Sequence, residues 1–77
     1  MKVDRLVTMA NDIGQFFAGE PDPAEAVAGT LNHLRRFWDP RMRKQILEYA
    51  LRDGGALQEP ARSAVLALAQ GDRSPAA

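Results

Sequence analysis

The sequence predicts an all-α fold, a small bundle of about four short helices. Three observations lead there. Apolar residues recur at spacings of three and four along the whole chain, and no window alternates β-branched residues with a period of two. Asp is followed directly by Pro at Asp22-Pro23 and again at Asp39-Pro40, a pairing that starts helices. Gly and Pro also mark short breaks near residues 19–23 and 54–60, which with the Asp39-Pro40 corner leaves four segments of helical length.

The first helix is expected over Val3 to Phe17. Val3, Leu6, Val7, Ala10, Ile13 and Phe17 form one apolar stripe, and Asp4 places an anion where the helix dipole favours it. The helix ends before Ala18-Gly19-Glu20-Pro21. The second starts with Asp22 as N-cap, Pro23 at the first position and Glu25 three residues after the cap, which suggests a capping box. Its expected stripe is Ala24, Val27, Ala28, Leu31, Leu34 and Trp38, and it ends near Phe37 because Pro40 disfavours helical backbone at Asp39.

The third helix begins at once, with Asp39 as N-cap and Pro40 first. Met42, Ile46, Tyr49 and Ala50 form its face, widened by Leu47 and Leu51. Gly54 suits the position just past its end. The fourth is expected from Pro60 to Gln70, closed by Gly71. Between Ala61 and Ala69 only Arg62 and Ser63 are polar, so this helix wants cover on more than one side. Three short helices do not easily supply that cover.

At 77 residues the chain is one domain, read as residues 1–70 with a C-terminal tail over 71–77. A chain of this length buries about 60–65% of its unfolded surface, so its own stability is modest. Hydrophobic residues make up 45% of the chain, but 13 of them are Ala, which contribute little burial each. The longest apolar run is Ala64–Ala69, far short of the roughly 20 residues that span a bilayer. No apolar segment of the signal-peptide kind follows Met1-Lys2-Val3-Asp4-Arg5, and the expected location is cytoplasmic.

The chemistry of most enzymes has no residues here. The chain has no Cys, one His, two Ser and two Thr. Without Cys there is no disulfide, thiolate zinc site, iron–sulfur ligation or Cys nucleophile. A Ser63–His33–acid triad has no spacing to support it. One His with scattered carboxylates does not make a metal site, and Gly54-Gly55 lacks the strand and helix of a phosphate loop.

What stands out is His33-Leu34-Arg35-Arg36-Phe37-Trp38-Asp39-Pro40-Arg41-Met42-Arg43. It holds the one His, the one Trp and four of the ten cationic side chains around one Asp-Pro corner. Residues 33–44 carry a net charge of +4, against −4 for residues 11–32. A purely structural role would plug the core with Trp38 and Phe37 and leave the arginines in solvent. Trp38, which extends the second helix's stripe, does read as packed inside. Stacking on nucleic acid pairs the same residue types, but ten basic residues balanced by ten acidic ones oppose it. A protein partner fits best. Arg, Trp and Met are enriched in interfaces, and Arg forks match carboxylates. The candidate partner-binding residues are His33, Arg35, Arg36, Phe37, Trp38, Asp39, Pro40, Arg41, Met42 and Arg43. Phe37, Trp38 and Met42 form the expected centre and the arginines the polar contacts. An Arg41→Ala, Arg43→Ala pair is expected to weaken complex formation without loss of helix.

These residues also carry a resemblance. "MANDIGQFFA", an acidic loop, "HLRRFWDPRMR" and an Ala/Leu-rich last helix together resemble the delta subunit of bacterial NAD-dependent formate dehydrogenase, over roughly residues 3–68. The "FWDPRMR" core is the specific part. The resemblance implies a cytoplasmic multi-subunit enzyme that oxidises formate to carbon dioxide. Its molybdenum cofactor, iron–sulfur clusters and FMN would pass the electrons to NAD. The delta subunit would carry no redox cofactor of its own. It would bind and stabilise the large molybdenum-containing subunit, or serve as an assembly chaperone for it. A small nucleic-acid-binding regulator and a homo-oligomer that covers the fourth helix on itself are the weaker alternatives. No membrane partner is expected.

Overall fold

The computed structural model of the chain describes residues 2–72. Four helices follow one another: α1 Val3–Phe17, α2 Pro23–Phe37, α3 Pro40–Arg52 and α4 Ala61–Asp72. Among the described residues there is no strand. The fold is thus the all-α bundle that the periodicity predicts. α4 begins one residue after Pro60 and runs through Gly71 to Asp72 instead of closing at Gln70. Residues 73–77, most of the expected tail, lie outside the described residues.

The helix starts follow from local chemistry. The Asp22 carboxylate accepts the Ala24 N–H at 2.9 Å, and the Asp39 carboxylate accepts the Met42 N–H at 2.9 Å. Each satisfies one of the donors that a helix start leaves free. The capping box expected of Glu25 does not form. Glu25 is exposed, and its side chain makes no hydrogen bond among the described residues. α3 ends as Gly54 permits: its φ is +70°, and its N–H joins that of Asp53 on the Tyr49 carbonyl, at 3.1 and 2.8 Å. At the start of α4 the Glu59 carboxylate accepts from Ser63 Oγ at 2.6 Å and from the Ser63 N–H at 3.3 Å. The Glu59–Pro60 peptide is cis.

α4 is the centre of the bundle. It packs on α1, α2 and α3, and Ala61, Ala64, Val65 and Leu68 are fully buried. Three short helices cover most of it, but, as its composition leads one to expect, not all: Leu66 remains 39% exposed. The close cover elsewhere comes from its small residues: Ala61 and Ala64 let neighbouring backbones come close. Gly14 of α1 is the matching notch. A Cβ there would stand 3.0 Å from the Ala61 nitrogen and 3.2 Å from its Cβ.

Two faces differ from the expected stripes. On α2 the buried positions are Ala26, Thr30 and Leu34, continuing to Trp38, while Ala24 and Ala28 are exposed. Thr30 belongs inside because its hydroxyl donates to the Ala26 carbonyl at 2.8 Å. Its polar group is satisfied within the helix and its methyl packs as an apolar residue would. On α3 Ile46 is fully buried, with Met42, Leu47, Tyr49 and Ala50 half-buried around it, but Leu51 is 68% exposed.

The α3–α4 loop is part of the core. Leu57 is buried, and the segment beside it is held from two sides. The Asn11 side chain donates to the Ala56 carbonyl at 3.0 Å and accepts the Gln58 N–H at 2.9 Å. The Tyr49 hydroxyl accepts the Ala56 N–H at 2.9 Å.

Candidate partner-binding surface

The Asp39-Pro40 corner ends α2 and starts α3 without a loop. Trp38 stands at the end of α2 with extended backbone, and its N–H donates to the Leu34 carbonyl at 3.1 Å. Its indole is only 5% exposed and packs in the central cluster with Leu34, Ile46 and Leu68. One turn into α3, Arg43 reaches back across the corner. Its Nη1 donates to the Trp38 carbonyl and, at 3.4 Å, to the Arg35 carbonyl. The Arg35 oxygen belongs to the last turn of α2 and the Trp38 oxygen lies just past it, at a helix end that leaves carbonyls without helical partners and attracts a cation.

The eleven-residue cluster is thereby divided. Trp38 is inside, Met42 is half-buried against the core, Asp39 caps α3 and Arg43 ties the corner. Pro40 is exposed at the bend. Arg35, Arg36 and Arg41 are exposed, and their side chains make no hydrogen bond among the described residues. Phe37 is 70% exposed and stacks on the half-buried His33, ring centroids 4.7 Å apart and tilted by 40°. Because Arg43 holds its own chain together, the Arg41→Ala, Arg43→Ala pair reads out the fold as well as a partner.

His33 leads to a surface that the cluster alone does not reveal. With Asp12, Ile13, Phe16 and Phe17 of α1 it lines an open groove of about 360 Å³ between α1 and α2. Phe17 is half-buried with its ring on Gly29, where a Cβ would come within 2.5 Å of a ring carbon. Phe16 points out, 80% exposed, edge-on to Phe17 at 5.0 Å. Sequence reasoning passed over Phe16, yet the signal was present. Adjacent helical residues point about 100° apart, so of a Phe-Phe pair only one can face the core.

A second hollow of about 360 Å³ lies where the α1–α2 loop meets the start of α4. Glu20, Pro23, Val27, Glu59 and Pro60 are among its lining residues, and Glu59 is already tied to Ser63. Ser63 and His33 thus have separate structural partners, Glu59 and Phe37. No group of three or more His, Cys, Asp or Glu among the described residues is placed to hold a metal ion. No described helix is long and apolar enough to cross a membrane.

The chain has thus a four-helix scaffold, an arginine-tied corner and an outward aromatic surface beside it. No curated protein and no solved structure matches it. The family model of the NADH-dependent formate dehydrogenase delta subunit, FdsD, matches residues 5–65. That span runs from the first turn of α1 to the middle of α4 and takes in both the corner and the groove, so the chain belongs to the FdsD family of formate dehydrogenase delta subunits.

Proposed function

We propose that this chain is a non-catalytic accessory subunit of a cytoplasmic NAD-dependent formate dehydrogenase, bound to the large molybdenum-containing subunit and stabilising it. One observation carries the reading. Around the corner the chain spends Trp38, Asp39 and Arg43 on its own fold, leaves Phe37 70% exposed with only the His33 ring against it, and leaves Arg35, Arg36 and Arg41 exposed without a hydrogen bond among the described residues. Exposed aromatics beside free guanidinium forks are the composition of a protein interface. Membership of the delta-subunit family supplies the enzyme. Without Cys the chain offers no thiolate ligands to an iron–sulfur cluster, which supports the reading that the redox cofactors of the complex sit in other subunits.

The test is a pull-down of the tagged chain from its native cytosol, with mass spectrometry and a formate-dependent NAD reduction assay on the eluate. Recovery of an active large subunit at one small chain per large chain is the expected result. The same subunit, inactive or lacking its cofactor, would replace the permanent subunit by an assembly chaperone. Recovery of no formate dehydrogenase subunit would end both.

A further inference from the structure

We infer that the α1–α2 groove, with Phe16, Phe17, His33 and Phe37 along it, is the docking surface of this chain. Its occupant is an acidic amphipathic segment of the large subunit that sets apolar side chains into the groove and carboxylates against the arginines. This rests on the accessory-subunit reading and goes beyond it by naming the surface and the chemistry of what fills it.

The apolar surface is continuous. Phe37 stacks on His33, His33 lines the groove, and Phe16 and Phe17 close the other side. Two of these rings are mostly in solvent, at 80% for Phe16 and 70% for Phe37. Large exposed apolar side chains that adjoin one another mark an interaction site more often than singly scattered ones. The groove is open and shallow, which suits side chains projecting from another protein better than an enclosed small molecule.

Charge selects the occupant. On α2, Arg36 lies three residues from His33 and so on the neighbouring strip of the helix. Arg41 follows just past the corner. Both are exposed and make no hydrogen bond among the described residues. The nearest anion in sequence, Asp39, already accepts the Met42 N–H. Asp39 keeps its charge there and Asp12 lines the α1 side, but residues 33–44 carry a net charge of +4, so the α2 end of the groove presents an excess of positive charge that an acidic partner complements. The second hollow, near Glu20 and Glu59, has neither large exposed rings nor free cations.

The experiment co-expresses the tagged chain with the large subunit of its formate dehydrogenase and measures how much large subunit is retained. The variants are Phe16→Ala, Phe37→Ala and Arg36→Glu, with Leu51→Ala as an exposed apolar control on α3. All four side chains are exposed, and circular dichroism checks that each variant stays folded. Retention should fall at least tenfold for the three groove variants and stay at the wild-type level for Leu51→Ala. Wild-type retention by Phe16→Ala and Phe37→Ala would overturn the surface and leave the accessory role standing. Equal loss in Leu51→Ala would overturn it too, since the effect would not be confined to the groove. If even the wild-type chain retains no large subunit, the accessory reading fails and the docking surface with it. Sedimentation of the isolated chain covers the remaining occupant. A dimer broken by Phe37→Ala, with large-subunit retention unchanged, would assign the groove to a second copy and overturn the proposal.

Discussion

Arg43 donates from Nη1 to the backbone carbonyl of Trp38, five residues before it and on the far side of a helix break. The same nitrogen reaches the Arg35 carbonyl at 3.4 Å. One side chain from the first turns of α3 thus closes the open end of α2, and the angle between the two helices is held by that link together with the buried indole. The orientation of Phe37, and with it the aromatic surface, depends on the same corner.

Replacing Arg43 by Ala should therefore destabilise the isolated chain. Hydrogen bonds from a charged donor contribute about 1.5–3 kcal/mol each way they are measured, and the freed carbonyls fall back on water. We expect a loss of about 2 kcal/mol in urea denaturation. A midpoint equal to wild type would mean that the link contributes nothing to stability.

Trp38→Ala removes the largest side chain at the corner from a core position. Such truncations cost about 3–5 kcal/mol, comparable with the whole stability of a domain this small. The far-ultraviolet circular dichroism of the variant should show most of the helical signal lost at 25 °C. A fully helical variant would show that the core tolerates the cavity.

Asn11 and Tyr49 hold the α3–α4 loop from opposite sides. Asn11→Ala deletes two hydrogen bonds and should cost about 2 kcal/mol, Tyr49→Phe one bond and about 1 kcal/mol. In both variants hydrogen exchange at the Ala56 N–H should accelerate more than at amides in mid-α2. Uniform acceleration across the chain would instead indicate that the loop opens only with global unfolding.

Gly14 and Gly19 make a matched pair. A Cβ at Gly14 meets the backbone nitrogen of Ala61 at 3.0 Å, whereas at Gly19 nothing lies within 4 Å. Gly14→Ala gains about 1 kcal/mol in helix propensity but loses about 1–3 kcal/mol to overpacking, so a net loss is expected. Gly19→Ala should leave the thermal midpoint nearly unchanged. A more stable Gly14→Ala would show that α4 can move away from α1 at little cost.

Asp39→Ala tests the cap that follows the break. Loss of an N-cap acceptor costs about 1 kcal/mol, which in a domain of this size lowers Tm by about 4–8 °C. Asp39→Asn should recover most of it, because the amide oxygen accepts the same N–H.

By itself the sequence determined the four helices and all their ends but those of α4, which starts at Ala61 and runs on through Gly71 to Asp72. Caps, proline positions and a glycine just past a helix are local: Asp22 and Asp39 act on amides two or three residues away, and Gly54 only needs its own φ. The helical period and those caps sit in the same short stretches of chain, so both are legible without a tertiary structure. The run from "MANDIGQFFA" through "HLRRFWDPRMR" to the Ala/Leu-rich last helix likewise pointed to the family, whose model matches residues 5–65. What only tertiary structure decided is which side of each helix faces inward and which residues of the cluster remain free. Thr30 is inside because its hydroxyl bonds within its own helix, a contact that hydropathy does not count. Leu51 is outside, 68% exposed, because none of the described helices covers that side of α3. Arg43 is spent on the corner because α3 folds back over the end of α2. Phe16 joins His33 only because α1 and α2 pack side by side, bringing together residues seventeen positions apart in the chain. Contacts of that kind depend on how helices pack, and packing is set by the sum of all their faces rather than by any one of them.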